Sequence, residues 1–228
     1  FRKKLFFEEL FIYGIKNGRT IFNNINKYIK CVLASNFGNF YSIAVISLFI
    51  PFLPMLPVQI LLGNLLSDFP LIAIATDSID VEELKRPKIH PLRQMISLII
   101  VLALVSTIFD FIFFAIFHNQ QPSILRTLWF IESILAEIAL IFSVRTSHFF
   151  LKAKKPSLPL IALTSLTAVF IVTLPFMSFG QIAFHFVAPP IIPLLVVLFL
   201  VMLYFTFSEI TKLAYFHFFN PWKIKNES

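Results

Sequence analysis

The chain has 228 residues, 58% of them hydrophobic and only 14% charged, with 30 phenylalanines. That balance excludes an ordinary soluble domain and describes a membrane protein. The net charge of +7 would suit a nucleic-acid binder if it lay on one face, but the Lys and Arg residues are divided among short segments between apolar runs. Their placement reports topology, and no nucleic-acid partner is expected.

In chain order, residues 1 to about 27 are basic and mixed, with an amphipathic stretch from Phe6 to Ile15 and a break expected at Asn17-Gly18. The first residue is Phe, so the numbering is read as starting inside a longer gene product, and no secretory signal is seen. Six apolar runs follow, at about 29–50, 58–77, 94–117, 127–145, 158–178 and 189–208. Each is close to the roughly 20 residues that cross a hydrocarbon core. They are continuously apolar and do not alternate, so helices are expected in place of strands. The fold class is therefore an all-α membrane bundle of six helices. Its parts are a cytosolic stalk at 1–27, a membrane domain at 28–212 and a cytosolic tail at 213–228.

The connecting segments set orientation. Basic residues cluster before and at the start of the first span (Arg2, Lys3, Lys4, Lys16, Arg19, Lys27, Lys30), between the second and third (Lys85, Arg86, Lys88, Arg93), between the fourth and fifth (Arg145, Lys152, Lys154, Lys155) and at the end (Lys212, Lys223, Lys225). Arg126 alone falls on the other side, so both termini are expected in the cytoplasm. The lone cysteine, Cys31, excludes an internal disulfide, and no Cys/His spacing suggests zinc. The five His residues read as interfacial or loop residues.

The polar content of the first two spans carries the chemistry. Asn36 and Asn39 are three apart, and Asn64 and Asp68 four apart, so each pair shares a helix face. Two such faces turned together make a cage of amide and carboxylate oxygens. An ionised Asp at the bilayer centre costs roughly 2.5–3.5 kcal/mol, and a cation is its natural partner. Pro70 is expected to kink or unwind the helix just past Asp68 and release carbonyl oxygens to the same ion. The competing reading makes these Asn and Asp side chains interhelical hydrogen-bonding glue.

These residues resemble a known family. Ser35-Asn36-Phe37-Gly38-Asn39 and Asn64-Leu65-Leu66-Ser67-Asp68, preceded by Gly18-Arg19-Thr20-Ile21-Phe22, look like the fifth and sixth membrane helices of a P-type cation-transporting ATPase, closest to the magnesium-transporting branch. The likeness continues more loosely through Phe109-Asp110, Trp129-Phe130-Ile131-Glu132 and Val144-Arg145-Thr146. It implies helices five to ten of such a pump, with Asn36, Asn39, Asn64, Ser67 and Asp68 as cation ligands and Glu137, from the eighth helix, facing the same cluster. In calcium pumps the position of Asn39 is an acid, which argues against calcium-pump identity. No Asp-Lys-Thr-Gly-Thr phosphorylation motif, nucleotide-binding domain or Pro-Glu motif is present. No catalytic residue or resident cofactor is expected in this chain; ATP and Mg²⁺ would serve the complete pump.

Three further acids lie in the apolar runs. Asp110 has Ser106 and Thr107 at i−4 and i−3, a setting for local hydrogen bonds. Glu132 and Glu137 are five apart, roughly 140° around a helix, and do not share one small site. Asp110 and Glu132 are thus candidates for a secondary polar or ion path, with Glu132 only loosely within reach of Arg126. Glu209 and Lys212 read as an interfacial ion pair of small weight.

The expected function is cation binding and translocation, with Mg²⁺ favoured because it is often held by one or two carboxylates with neutral oxygens. The expected partners are the ion, the bilayer and a cytosolic ATPase headpiece, and the expected place is the plasma (inner) membrane. A stand-alone six-helix channel, carrier or regulatory subunit is the alternative. An adjacent reading frame carrying the phosphorylation motif separates the two.

Overall fold

The computed structural model describes residues 2–79 and 92–218, with side chains from residue 10 onward. Among the described residues there are seven helices and no strands: α1 Arg2–Ile46, α2 Pro57–Ala73, α3 Leu92–Phe117, α4 Pro122–Val144, α5 Leu158–Thr173, a short α6 Ser178–Phe184, and α7 Ile191–Phe218. All but α6 are long and apolar enough to cross a membrane, α2 and α5 together with the 3₁₀ turns that extend them to Thr76 and Phe176. Lys85, Arg86, Lys88, His90, Lys223 and Lys225 lie outside the described residues.

Several expectations change. The break at Asn17-Gly18 is absent, and α1 runs unbroken for 45 residues. An interior Gly costs only about 1 kcal/mol, which a long cooperative helix absorbs. Nor does α2 unwind at Pro70: it continues to Ala73 and tightens into a 3₁₀ turn at Ile74–Thr76. The segment between α5 and α7 also contains the short helix α6.

Local chemistry sets the helix starts. Pro57 opens α2, where the Leu56 backbone N–H donates to Gln59 Oε1 at 3.0 Å, and Gln59 Nε2 donates to the Phe184 carbonyl at 2.9 Å. Pro122 opens α4 one turn earlier than the apolar run begins, since Pro is tolerated where its missing N–H has no partner to lose.

α4 is the central post. It packs on α1, α2, α3, α5 and α7, and 78% of its most apolar window is buried, against 33–44% in the other five. Trp129, Phe130 and Ile131 lie in its core, with Phe113 and Phe117 of α3 and Val197 of α7. The most extensive helix contact is α1 on α3. Gly38 makes it possible: a Cβ there would stand 2.9 Å from both Cβ and Oγ of Ser106. Gly38→Ala is therefore expected to push the helices apart and cost about 1–3 kcal/mol of stability, read as a lowered thermal unfolding midpoint in detergent. An unchanged midpoint would mean that Ser106 rotates away freely.

Candidate functional site

Of the two sequence pairs, Asn36 and Asn39 meet Asn64 but not Asp68. Asn36 and Asn39 of α1, Asn64 of α2 and Glu137 of α4 line one cavity of about 60 Å³, walled by Phe40, Trp129 and Phe130. One water needs roughly 10–15 Å³, so the cavity has room for a small ion with part of its hydration. α1 supplies its two amides at i and i+3, and α2 approaches closely through Gly63, where a Cβ would touch Ile134 at 3.4 Å.

Ser133, one turn before Glu137 on α4, also lines the cavity, and its Oγ donates to Asn39 Oδ1 at 3.1 Å. The hydroxyls of Ser35 and Ser67 and the charge of Asp68 lie near enough to act on the Glu137 carboxyl. Ser67 is buried and donates to the Asn64 carbonyl at 3.2 Å. Asp68 does not line the cavity; it sits exposed on α2, as does Asn64 in part of its surface. Ser35 and Ser133 were missed from sequence, although each lies four residues from a chosen ligand, Asn39 and Glu137, on the same helix face. Among the described residues no group of three or more His, Cys, Asp or Glu converges. A cation held here is held largely by amide and hydroxyl oxygens.

The remaining acids stand elsewhere. Asp110 does not use Ser106 or Thr107; the Thr107 hydroxyl donates to the Ala103 carbonyl instead. Its donors come across helices, Ser42 Oγ of α1 at 2.5 Å and Trp129 Nε1 of α4 at 2.7 Å. Glu132 faces Asp110. Arg126, its loose sequence partner, turns away to the Leu53 carbonyl at 2.8 Å and the Phe52 ring.

Two ion-pair networks were also undervalued. Glu209 and Lys212 are buried and 2.7 Å apart, not interfacial. Lys212 Nζ donates to the carbonyls of Ser143 and His148, and Glu209 accepts from Ser143 Oγ and the Phe150 N–H. The second network joins Lys27, Asp77 and Arg145, all buried. Asn24 reinforces it by donating to the carbonyls of Ala75 and Asp77. The spacing Asn23-Asn24-x-x-Lys27 was the available signal, a polar stripe on one helix face.

Six membrane-length helices, three of which line a polar, amide-rich cavity, define a multi-pass membrane bundle. Residues 52–214 match the family described as "Cation transporting ATPase, C-terminus". The chain belongs to that family, as the C-terminal membrane region of a P-type ATPase. It is 35% identical over 170 residues to "Magnesium-transporting ATPase, P-type 1" of Salmonella typhimurium strain LT2, and 34% identical over the same length to the protein of that name in Escherichia coli K12. Each match covers 72% of this chain and 19% of the relative. "Calcium-transporting ATPase" of Bacillus subtilis strain 168 is 31% identical over 142 residues, 58% of this chain and 16% of the relative. The chain thus matches only a fifth of the length of these relatives.

Proposed function

We propose that this chain is the cation-translocating membrane part of a magnesium-transporting P-type ATPase, with ATP hydrolysis performed by a cytosolic headpiece outside this sequence. The observation that carries the reading is the convergence of Asn36, Asn39, Asn64 and Glu137, from three helices, on one small cavity. Ser67 and Asp68 stand at its edge on α2 and complete the ligand set. The low acid count suits Mg²⁺, which keeps part of its water and needs few carboxylates, and relatives named as magnesium transporters support that choice.

The exposed Asp68 fits the same reading. A carboxylate left on the lipid face of a helix is costly, so that face of α2 is covered by other membrane helices of the pump. The clustering of Lys27, Arg145, Lys152, Lys154 and Lys155 at one end of the bundle supports cytoplasmic termini in the plasma (inner) membrane, with residues 1–27 as the stalk, 28–212 as the membrane domain and 213–228 as the tail. ATP and Mg²⁺ serve the headpiece, where this chain offers no phosphate-cradling loop.

The test is reconstitution into vesicles containing a Mg²⁺ indicator, with the chain alone and joined to a headpiece that carries the phosphorylated Asp. ATP-driven Mg²⁺ movement is expected from the joined protein, and neither hydrolysis nor flux from the chain alone. ATP turnover by the isolated chain would sink the division of labour, and passive flux through it would favour a channel.

A further inference from the structure

Asp110 and Glu132 lie behind the cavity wall and form a second site of different character. Both are buried, at 3% and 2% exposure, and their carboxyls are within hydrogen-bonding reach of each other. The groups around them can be named from every helix packed there. α1 contributes Ser42, α3 contributes Asp110 and Ser106, α4 contributes Trp129 and Glu132, and α7 contributes Tyr204, whose hydroxyl interacts with Ser106 and Ser208. Among the described residues no Lys, Arg or His acts on either carboxyl.

The two acids are not equivalent. Each oxygen of Asp110 accepts a hydrogen bond, Oδ1 from Trp129 and Oδ2 from Ser42, and such donors favour the ionised form. Among the described residues Glu132 has no such donors, and its Oε2 is buried without a partner. Two adjacent carboxylates in an apolar interior with no cation beside them do not both ionise. The donors therefore assign the negative charge to Asp110 and leave Glu132 to carry a hydrogen.

We propose that Asp110 and Glu132 form a proton-binding site distinct from the cation cavity, taking one proton from water, held on Glu132 and shared with Asp110. Only a proton moves, and no other bond is made or broken. Trp129 forms the shared wall, since its ring lines the cavity while its Nε1–H holds Asp110. Protonation of the pair and occupancy of the cavity thus act on one side chain.

The experiment needs neither a headpiece nor transport, so it stands or falls apart from the magnesium reading. The full chain in lipid nanodiscs, in metal-free buffer at neutral pH, is examined by infrared spectroscopy for the carbonyl stretch of protonated carboxyls. Glu132→Gln is expected to remove one such band and leave the rest. In the parent chain that band should titrate away as pH rises, and Asp110→Asn, which removes the negative charge beside Glu132, should move its midpoint downward by about one to two pH units. A spectrum unchanged by Glu132→Gln would overturn the proposal, as would a Glu132-dependent band that vanishes at constant pH on adding Na⁺, K⁺ or Mg²⁺, the mark of a cation seat. Should Glu132→Gln fail to fold, the Asp110→Asn midpoint decides alone: no shift refutes the shared proton.

Discussion

Asp77→Asn is expected to destabilise the folded chain by about 3–5 kcal/mol, the usual consequence of removing one partner from a buried ion pair. Asp77 Oδ2 accepts from Lys27 Nζ and from Arg145 Nε, both at 3.0 Å, and Oδ1 accepts from Arg145 Nη2 at 3.0 Å and the Ser157 N–H at 3.2 Å. Its side chain is wholly shielded from solvent, and those of Lys27 and Arg145 are 5% and 4% exposed. An amide in its place would leave two cations buried without a counter-charge. The network ties the Lys27 region of α1 to the end of α2 and to the end of α4, so the same substitution should loosen the helices that carry Asn36, Asn64 and Glu137.

The pH dependence has a definite sign. Burial alone would raise the Asp77 carboxyl, but the Arg145 hydrogen bond and the Lys27 and Arg145 charges outweigh it and hold the group below the ordinary carboxylate value. A group depressed in the folded state contributes its full stability above its unfolded value and loses it as pH falls through the folded one. The parent chain should therefore lose the Asp77 contribution only below about pH 4, whereas Asp77→Asn should lack it throughout. Thermal unfolding in detergent, followed by tryptophan fluorescence across that range, reads both effects. Equal midpoints for parent and variant at neutral pH would show the network to be energetically idle.

The membrane helices were readable because an apolar run of about 20 residues has few alternatives in a chain of this composition. The third expected span, 94–117, ends with α3 at Phe117. The fourth was placed five residues late because Ser123 and Arg126 dilute its first turn, while Pro122 in fact starts the helix. Asn17-Gly18 and Pro70 misled in the same way, since each is a local penalty of at most a few kcal/mol, set against the cooperativity and packing of a long helix. The amides Asn36 and Asn39 were legible as an i, i+3 pair, whereas Asp68, paired with Asn64 at i, i+4, stands outside the cavity. Contacts such as Ser42 to Asp110, 68 residues apart, or Glu209 to Phe150, 59 apart, depend on how helices pack and leave no periodic trace. Asp77 was overlooked for a related reason: counted as the last residue of an apolar run, it lost the identity its buried partners give it.

Replacing Asp68 by Asn should raise the half-saturating Mg²⁺ concentration of the joined pump by roughly tenfold or more, because the amide keeps shape but gives up the charge that offsets lost hydration. The residue is free to do this. It forms no side-chain hydrogen bond or ion pair among the described residues, and it is exposed on α2 one turn from the cavity-lining Asn64. Interhelical glue would instead show it bonded across a packed interface. Glu137→Gln should weaken binding comparably, since that carboxyl lies in the cavity wall itself. Asn39→Ala should cost less, because an amide contributes only a dipole and the loss is shared with the Ser133 contact. The measurement is turnover with free Mg²⁺ varied at constant MgATP, alongside the thermal unfolding midpoint of each variant. Should Asp68→Asn leave turnover and half-saturation unchanged while Glu137→Gln abolishes both, the ion would be seated at Glu137 of α4 without Asp68. A lowered midpoint with intact ion dependence would make Asp68 a packing residue after all, meeting a partner on the helices that cover that face of α2.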